Sequence, residues 1–578
     1  MKRAVLLVWV LAVAACGPEE VGTLAVEIAY PDPQAVAGGL RGEQPPQSGK
    51  WPEPITDFRL CVSAPDMSKP KCANFNRTDY ERRGKASLGG VPVGKNRRVT
   101  FQGYVFDSSA SDFEVYWCGE ASGLKIGSGT TRVQMFITAC SNFTQTRSAM
   151  QTPRVFHSAT LLPNGAVLLV GGFTTSQGTQ PCSDGSCRLL EATRSIEIYD
   201  PRTGAFQSIP GLELSASRGL HAATLLGDGR ILVSGGCNKL LWRDTFTSAR
   251  PAFELPAEGC GEADSSAEII DLSKPEVKIL PSSLKNPRLA HAMVSVGGEA
   301  VVLGGLNSNG ALMSAERFNA AESSFADFSG ALQVARYGFT PVEISAGNNQ
   351  ARFFIWGGNH PSQPGAGVYA EIVEINTHSI TSTLPSFVTN NPDRGLPVFW
   401  AGATSLGSDR VLVTGGMLAD TAFNPGLTKP EVVRYYRLCD VSTGTLLAPG
   451  DDSAGNTMTI FRTLHTSTLL NRSLFKDDPS FRVLVAGGLN RTPPGSPRDF
   501  EPQDTAEFYL TWKTGESQAF ETIQIKGVTV RMTAARAGHT ATALSDGTVL
   551  LAGGFTNGME LSASAEIFNP TMRNLRVE

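Results

Sequence analysis

Short apolar runs separated by turn residues form the main pattern along this chain. Near the N-terminus, apolar positions recur with a period of two, as in 98-RVTFQGYVF-106 and 132-RVQMFIT-138. That period predicts β-strands with one buried face. Glycine and proline clusters such as 88-LGGVPVGK-95 mark turns between the strands. Residues 17–148 are therefore predicted to form a small antiparallel β-sandwich.

A longer pattern fills the chain from residue 149 to residue 578. Each copy predicts a short strand, a two-residue turn such as Asn164-Gly165, and a second strand that ends in a glycine pair. A third strand with an acidic residue follows, as Glu197, Glu268, Glu316, Glu374, Glu507 and Glu566 indicate. The clearest copies are 154-RVFHSATLLPNGAVLLVGGF-173, 218-RGLHAATLLGDGRILVSGGC-237, 288-RLAHAMVSVGGEAVVLGGL-306 and 536-RAGHTATALSDGTVLLAGGF-555. Three looser copies end at Gly357-Gly358, Gly415-Gly416 and Gly487-Gly488, and seven copies predict a repeat architecture.

These features together resemble kelch repeats. The resemblance rests on the glycine pair, a following Glu-x-Tyr/Phe such as 197-EIY-199, and a turn such as 200-DPRT-203. It implies an all-β fold, with a seven-bladed kelch-type β-propeller over 149–578. Copy four (336-RYGF-339) lacks the histidine found in most copies, and copy five (398-VFWA-401) lacks both arginine and histidine. Six blades with one decayed insert is the alternative.

The first sixteen residues predict a targeting segment. A basic start, Met1-Lys2-Arg3, is followed by an apolar run at 4–13 that is too short to span a bilayer. The small residues before Cys16 resemble a bacterial lipoprotein signal, which implies lipidation of Cys16, and Gly17 favours the outer membrane. The stretch 88–103 is similar to the prealbumin-like or immunoglobulin-like domains of such lipoproteins. A plain secretory signal or a short uncleaved anchor is the alternative.

The remaining cysteines agree with an exported protein. Close sequence pairs predict four disulfides: Cys61–Cys72, Cys118–Cys140, Cys182–Cys187 and Cys237–Cys260. Cys439 is left over and is predicted to be a buried free thiol. A net charge of −4 with mixed signs argues against a nucleic-acid surface.

Arginine, histidine and glycine recur at fixed positions and are interpreted as scaffold. Equivalent residues on neighbouring packed sheets lie on the order of 10 Å apart, whereas the ligands of one zinc ion lie about 2.1 Å from it. The repeated histidines therefore predict no metal site and no cofactor, although a functional channel mouth stays open as an alternative. The scaffold residues are Arg154, His157, Gly171, Gly172, Arg218, His221, Gly235, Gly236, Arg288, His291, Gly304, Gly305, Arg462, His465, Gly487, Gly488, Arg536, His539, Gly553 and Gly554.

Catalytic constellations are missing from the sequence. There is no Tyr-His dipeptide, which the kelch-type copper enzyme galactose oxidase needs, and no G-x-S-x-G motif. We therefore expect no catalytic residues, and a module that binds a protein or glycan at the cell envelope; a carbohydrate-active enzyme is the alternative. The long segments after the glycine pairs of copies one and two predict a built-up face. Trp242, Arg243 and the loop residue His360 are its candidate ligand contacts.

Overall fold

The computed structural model describes residues 20–30, 55–105, 115–182, 185–243, 245, 263–347, 349–358, 370–376, 378–385, 398–418, 431–450, 457–470, 481–511, 519–525 and 527–571. Within these ranges the chain is all-β, as predicted, with a single α-helix at Arg77–Arg83. That helix is far too short and polar to cross a membrane, and no other described helix qualifies. Cys16, Cys260 and His360 lie outside the described residues.

Two N-terminal sheets share one hydrophobic core, which includes Val26, Phe58 and Trp117. The first contains Ala86–Pro92, Val21–Ala29 and Thr130–Phe136, and the second contains Lys71–Asn76, Asp57–Ser63, Gly94–Tyr104, Val115–Ile126 and Thr138–Ala139. Val21–Ala29 pairs in parallel with Thr130–Phe136, so the prediction of a purely antiparallel arrangement is wrong for this pair.

Seven further sheets follow, one for each copy of the repeat, and we number them sheet one to sheet seven. Sheet one contains Ser158–Leu161, Val167–Val170, Ser195–Asp200 and Ala205–Glu213. Sheet two contains Ala222–Leu225, Ile231–Ser234, Ala267–Asp271 and Glu276–Ile279. Sheet three contains Ala292–Val296, Glu299–Leu303, Gly310–Asn319 and Ser324–Arg336. Sheet four contains Val342–Ala346, Gln350–Trp356, Ala370–Asn376 and Ile380–Thr383. Sheet five contains Gly402–Gly407, Arg410–Thr414, Tyr436–Asp440 and Thr445–Gly450. Sheet six contains Thr466–Leu469, Phe481–Ala486, Phe500–Thr511 and Ala519–Thr522. Sheet seven contains Thr540–Ala543, Val549–Ala552, Ala565–Asn569 and Asn142–Gln145.

Shorter strands decorate these sheets. Leu306–Asn307 pairs within sheet three, and Leu489–Arg491 and Arg531–Arg536 pair within sheet six. Three two-stranded sheets pair Met417–Leu418 with Glu431–Val432, Gln524–Ile525 with Val528–Thr529, and Phe555–Thr556 with Glu560–Leu561. A 3₁₀ turn lies at Asn557–Met559. One separate three-stranded sheet, which we name the cap sheet, contains Phe173–Cys182, Gly185–Ala192 and Lys239–Arg243.

The second strand of each sheet explains how the sheets stack. Strands such as Val167–Val170 and Val549–Ala552 are apolar throughout and completely buried. Continuous burial means that both faces of the strand are covered. Hydrophobic clusters fill the space between each sheet and the next, and one of them joins sheet seven back to sheet one.

A closed cycle of backbone hydrogen bonds links the same seven sheets. It is formed by the third residue of each R-x-x-H segment or its equivalent, and all seven have φ between 48° and 62°. Each amide donates to the carbonyl of its counterpart in the preceding sheet, with N–O distances of 2.8 to 3.3 Å. From donor to acceptor the bonds run Phe156 to Gly538, Gly538 to Leu464, Leu464 to Trp400, Trp400 to Gly338, Gly338 to Ala290, Ala290 to Leu220 and Leu220 to Phe156. We name this cycle the hydrogen-bonded ring.

The glycine pairs lie where neighbouring sheets meet. Gly171 and Gly172 have φ of +58° and +93°, which favours glycine. A Cβ atom on Gly171 would come within 2.5 Å of the Arg218 carbonyl oxygen. The Gly172 amide donates to that same oxygen at 2.9 Å. This backbone hydrogen bond joins sheets one and two where the chains approach closely.

Candidate functional site

The repeated arginines are buried and ion-paired with glutamates of the third strands. Arg154 donates to Glu197 Oε1 at 2.5 Å and to the Gly171 carbonyl at 2.9 Å. Neither side chain is more than 1% exposed. The same pairing recurs at Arg218–Glu268, Arg288–Glu316, Arg336–Glu371, Arg462–Glu507 and Arg536–Glu566.

Each glutamate also holds the backbone that leads into its sheet. Glu197 accepts hydrogen bonds from the amides of Gln151 and Thr152 at 2.7 and 3.1 Å. Burial lowers the pKa of Arg154, and the neighbouring Glu197 carboxylate opposes that effect. Because a buried charge must be paired and hydrogen-bonded, these residues act within the scaffold.

The glutamate of sheet four is not the one that the sequence pattern predicts. Glu374 is more than half exposed and pairs with Arg352 on the surface at 3.1 Å. Glu371 takes the buried position instead. It pairs across the sheet with Ile355 of the second strand, as Glu197 pairs with Leu169 in sheet one. The pattern is therefore shifted by three residues within this strand.

The five repeated histidines face the neighbouring sheets. Their Nε2 atoms lie 2.8 to 3.2 Å from hydroxyl oxygens: His157 with Thr540, His221 with Ser158, His291 with Ser234, His465 with Thr414 and His539 with Thr466. Burial lowers the pKa of His221, His465 and His539 to about 3, and nearby arginines add to the shift. These imidazoles are neutral at pH 7. The described residues contain no group of three potential metal ligands.

The cap sheet covers the hydrogen-bonded ring with an apolar plug. Trp242, which is 1% exposed, lies 4.9 Å from the Phe555 ring and 5.9 Å from the Phe156 ring between centroids. Leu190 and Leu240 join it in one cluster with ring residues.

The predicted ligand contacts lie elsewhere than expected. Trp242 belongs to the plug, and Arg243 is only 5% exposed, so neither presents a surface to a ligand. His360 falls outside the described residues. Sequence reasoning located Trp242 on a loop because it missed the cap strands. The available signal was the short apolar run 240-LLW-242 between two basic residues.

The cysteines follow the predicted pairing where both partners are described. Disulfides join Cys61 to Cys72 and Cys118 to Cys140. Cys187 and Cys237 are also disulfide-bonded, and the side chains of their predicted partners, Cys182 and Cys260, are not described. Cys439 is a buried free thiol whose pKa is raised by burial.

Comparisons with known proteins add little to this picture. No family model matches the chain, and no curated protein matches it. A solved structure titled "Structure of YjhT" aligns with 63% of this chain and 98% of its own length, at 12% identity and a TM-score of 0.36. A score this low supports no conclusion about fold or function.

Proposed function

We propose that the seven sheets are the blades of a kelch-type β-propeller that follows a small N-terminal β-sandwich. The hydrogen-bonded ring supports this, because seven equivalent residues form one closed cycle. The cluster between sheets seven and one supports it as well. Seven blades are favoured over six, since the divergent copies four and five each contribute a ring residue, Gly338 and Trp400.

We infer that the protein is a lipid-anchored module of the cell envelope that binds a protein or glycan without catalysis. One observation carries this proposal: the repeated arginines and glutamates are buried and paired with each other, and each repeated histidine contacts a hydroxyl group through its Nε2 atom. What does not repeat is the cap sheet, which is built from the long segments of copies one and two.

The outer side of the cap sheet is the candidate binding surface. Leu190 and Trp242 point into the plug, so Leu189 and Leu241, which lie directly opposite each other, point the other way. Both are half-buried. Lys239 and Glu191 lie beside them and form an ion pair at 3.1 Å. A small apolar patch edged by charges is typical of an interaction surface.

Binding can be tested on the mature protein with a glycan array and with pull-downs from envelope extracts. We expect a ligand whose binding is lost in the Leu189→Ser/Leu241→Ser variant. Ile279→Ser is the matched control, because Ile279 is 58% exposed on an outer strand away from the cap sheet. Equal loss in both variants, or turnover of an oligosaccharide, would contradict the proposal.

The anchor is tested separately. Cys16→Ala should move the protein from the membrane fraction to the soluble fraction, because lipid chains contribute about 0.8 kcal/mol per buried CH₂ group. Retention in the membrane fraction would mean that Cys16 is not the anchor.

A further inference from the structure

One end of the N-terminal sheets lies close in sequence to the proposed lipid anchor. The strand Val21–Ala29 begins at Val21, and only residues 17–20 separate it from Cys16. A fully extended chain spans at most about 3.6 Å per residue, so Val21 can lie no more than about 18 Å from Cys16. The lipidation of Cys16 proposed above, on which this step rests, would therefore hold Val21 near the membrane surface.

Two turns of the N-terminal sheets lie directly beside Val21. The first follows Pro92, which pairs with Val21 across the first sheet. The second contains Gly129, whose carbonyl accepts the Thr23 amide at 3.0 Å. Whatever these turns expose is held at the same end of the sheets as the anchor.

Each of these turns has an exposed lysine. Gly94 pairs with Ile126 across the second sheet, and Lys95 and Lys125 are their direct neighbours in sequence. Both lysines are exposed. They therefore lie at the same end of the sheets as Val21.

Two more exposed lysines belong to a third connection, the loop 64–70 and the residue after it. Lys69 lies within this loop. The Lys71 ammonium nitrogen lies 3.7 Å from the position that a Cβ atom on Gly90 would occupy. Gly90 is a bulge residue opposite the start of the strand Val21–Ala29, so Lys71 also lies at this end. We name Val21 and the four lysines the basic end.

The described carboxylates at this end do not neutralise the lysines. Asp66 pairs with Arg97, whose side chain is 1% exposed and also donates to the Val93 carbonyl at 2.8 Å. The hydrogen bond from Arg97 lowers the pKa of Asp66. Glu20 is the other carboxylate, and within the described ranges none of the four lysines forms an ion pair. The basic end therefore has a net positive charge.

Val21 adds an exposed apolar side chain between these charges and the anchor. It is 47% exposed, which is unusual for a valine at the start of a buried strand. Lysine can lay its aliphatic stem along apolar surface while its ammonium group stays in a polar layer. Lysines beside an exposed apolar residue match the boundary between phosphate headgroups and acyl chains.

The contact with the repeat sheets lies at the other end of the same strands. Ala29 and Phe136 end the paired strands Val21–Ala29 and Thr130–Phe136. Both pack in the cluster between sheets seven and one. That contact therefore leaves the basic end uncovered.

We propose that the basic end binds the surface of a bilayer that contains anionic phospholipid. The four lysines contact lipid phosphate groups, and Val21 contacts the headgroup boundary. Each lysine near an anionic membrane surface strengthens binding by about fivefold. A lipid chain alone leaves a protein free to tilt, whereas this contact gives the N-terminal sheets one orientation on the membrane. Nucleic acid is the less favoured polyanion, because the anchor places the basic end beside a membrane.

The test uses residues 17–578 made without lipid, which include every described residue and lack the apolar run at 4–13. The probes are vesicles of phosphatidylcholine alone and vesicles of phosphatidylcholine and phosphatidylglycerol in equal parts. Co-sedimentation should occur with the mixed vesicles only. Changing all four lysines to glutamine should weaken it by about tenfold or more. The changes are Lys69→Gln, Lys71→Gln, Lys95→Gln and Lys125→Gln.

A matched control removes the same number of positive charges from exposed positions elsewhere. Its changes are Arg83→Gln, Lys85→Gln, Lys274→Gln and Lys278→Gln. Binding should stay within about twofold of the parent. Raising the salt from about 0.1 M to about 1 M shortens the Debye length from about 10 Å to about 3 Å, and this should abolish binding of the parent.

A fluorescent label locates the contact. Ser128 is exposed in the turn beside Val21, whereas Arg83 is exposed at the end of the helix Arg77–Arg83. Acrylodan attached to Ser128→Cys should shift its emission to shorter wavelength when mixed vesicles are added. The same label on Arg83→Cys should show no shift.

Four outcomes would overturn the proposal: equal binding to both kinds of vesicle, equal loss in the control variant, binding that persists at high salt, or a shift confined to the label at position 83. Tighter binding to a DNA duplex than to the mixed vesicles would overturn it too. Because this chain has no lipid, each result is independent of the Cys16→Ala fractionation. An anchor that holds while the unlipidated chain ignores anionic vesicles would reject the basic end alone.

Discussion

Sheet five differs from the other six repeat sheets in the residues that fill the buried position beside the hydrogen-bonded ring. In the six, an arginine beside the hydrogen-bonded ring pairs with a buried glutamate, as Arg288 pairs with Glu316 at 2.6 Å. In sheet five, Val398 stands in place of the arginine, and Arg437 lies opposite Val413 in place of the glutamate. Both partners have changed together. One retained partner would have been an uncompensated buried charge, which is far more costly than losing the pair.

Sheet five replaces the ion pair with apolar packing. Val398 and Trp356 lie in one buried cluster with Val413. Arg437 is half-buried; it donates to the Tyr436 carbonyl at 2.8 Å, and its guanidinium lies 5.6 Å from the Tyr435 ring centroid. Apolar side chains therefore fill in sheet five the buried position that an ion pair fills in the other six sheets.

Breaking one pair should give the largest effect. Arg288→Val leaves Glu316 buried without its cation, and we expect a loss of about 3–5 kcal/mol in the free energy of unfolding. Urea denaturation followed by circular dichroism measures it. Val398→Ala is the control, since it removes only methyl groups at the equivalent position; a loss as large as that of Arg288→Val would mean that charge is not the cause.

Removing both partners should cost less than the two single losses added together. Arg288→Val/Glu316→Leu imitates the absence of the pair in sheet five. It still leaves the amides of Lys285 and Asn286 without their acceptor. We expect a coupling of about 2–3 kcal/mol in a double-mutant cycle. Strict additivity would show that sheet five is not a model for the other sheets.

The repeated histidine offers a second comparison, because sheet four has Phe339 in its place. Phe339 lies against Gly304 in the same way that His221 lies against Gly171. The pKa of His465 is about 3 in the folded protein and about 6.5 when unfolded. As pH falls from about 6.5 towards 3, the unfolded chain therefore takes up a proton that the folded protein does not, and stability is lost. Each such histidine steepens this loss by about 1.4 kcal/mol per pH unit.

His465→Phe should make the dependence shallower by that amount. The measurement is the free energy of unfolding at several pH values between 4 and 7. The same slope in the variant and the parent would show that His465 is not a buried neutral imidazole.

The smallest effect is expected within the hydrogen-bonded ring. Ala290 has φ of +48°, whereas Gly338 and Gly538 occupy equivalent positions without a Cβ atom. Ala290→Gly relieves roughly 1 kcal/mol of left-handed strain and loses a similar amount through the more flexible unfolded chain. We expect a net change below about 1 kcal/mol, measured by thermal unfolding. A loss above 2 kcal/mol would indicate that the methyl group is needed in the plug.

The sequence predicts the regular parts of this structure well, because they repeat. The strands Ser158–Leu161 and Val167–Val170 lie on either side of the predicted turn. That turn spans residues 163–165, one residue more than predicted, since Leu162 bonds with Ala166. Repetition also identifies the buried arginines as scaffold, since a group found in nearly every copy serves what the copies share. Repetition does not identify Glu371, because its short strand contains two glutamates and either one fits the pattern.

The cap sheet could not be predicted in this way. It depends on segments that occur once and meet only in three dimensions. Trp242 is buried by residues from several sheets, which no local pattern in its own segment encodes.

The strand Asn142–Gln145 has a consequence for how the chain folds. It lies before the predicted domain boundary at 148/149, yet it forms the outer strand of sheet seven beside Ala565–Asn569. Asn569 and Thr138, which bond across this junction, are 431 residues apart in sequence. During synthesis the strand must therefore wait for the end of the chain, with an unpaired edge that can recruit other chains.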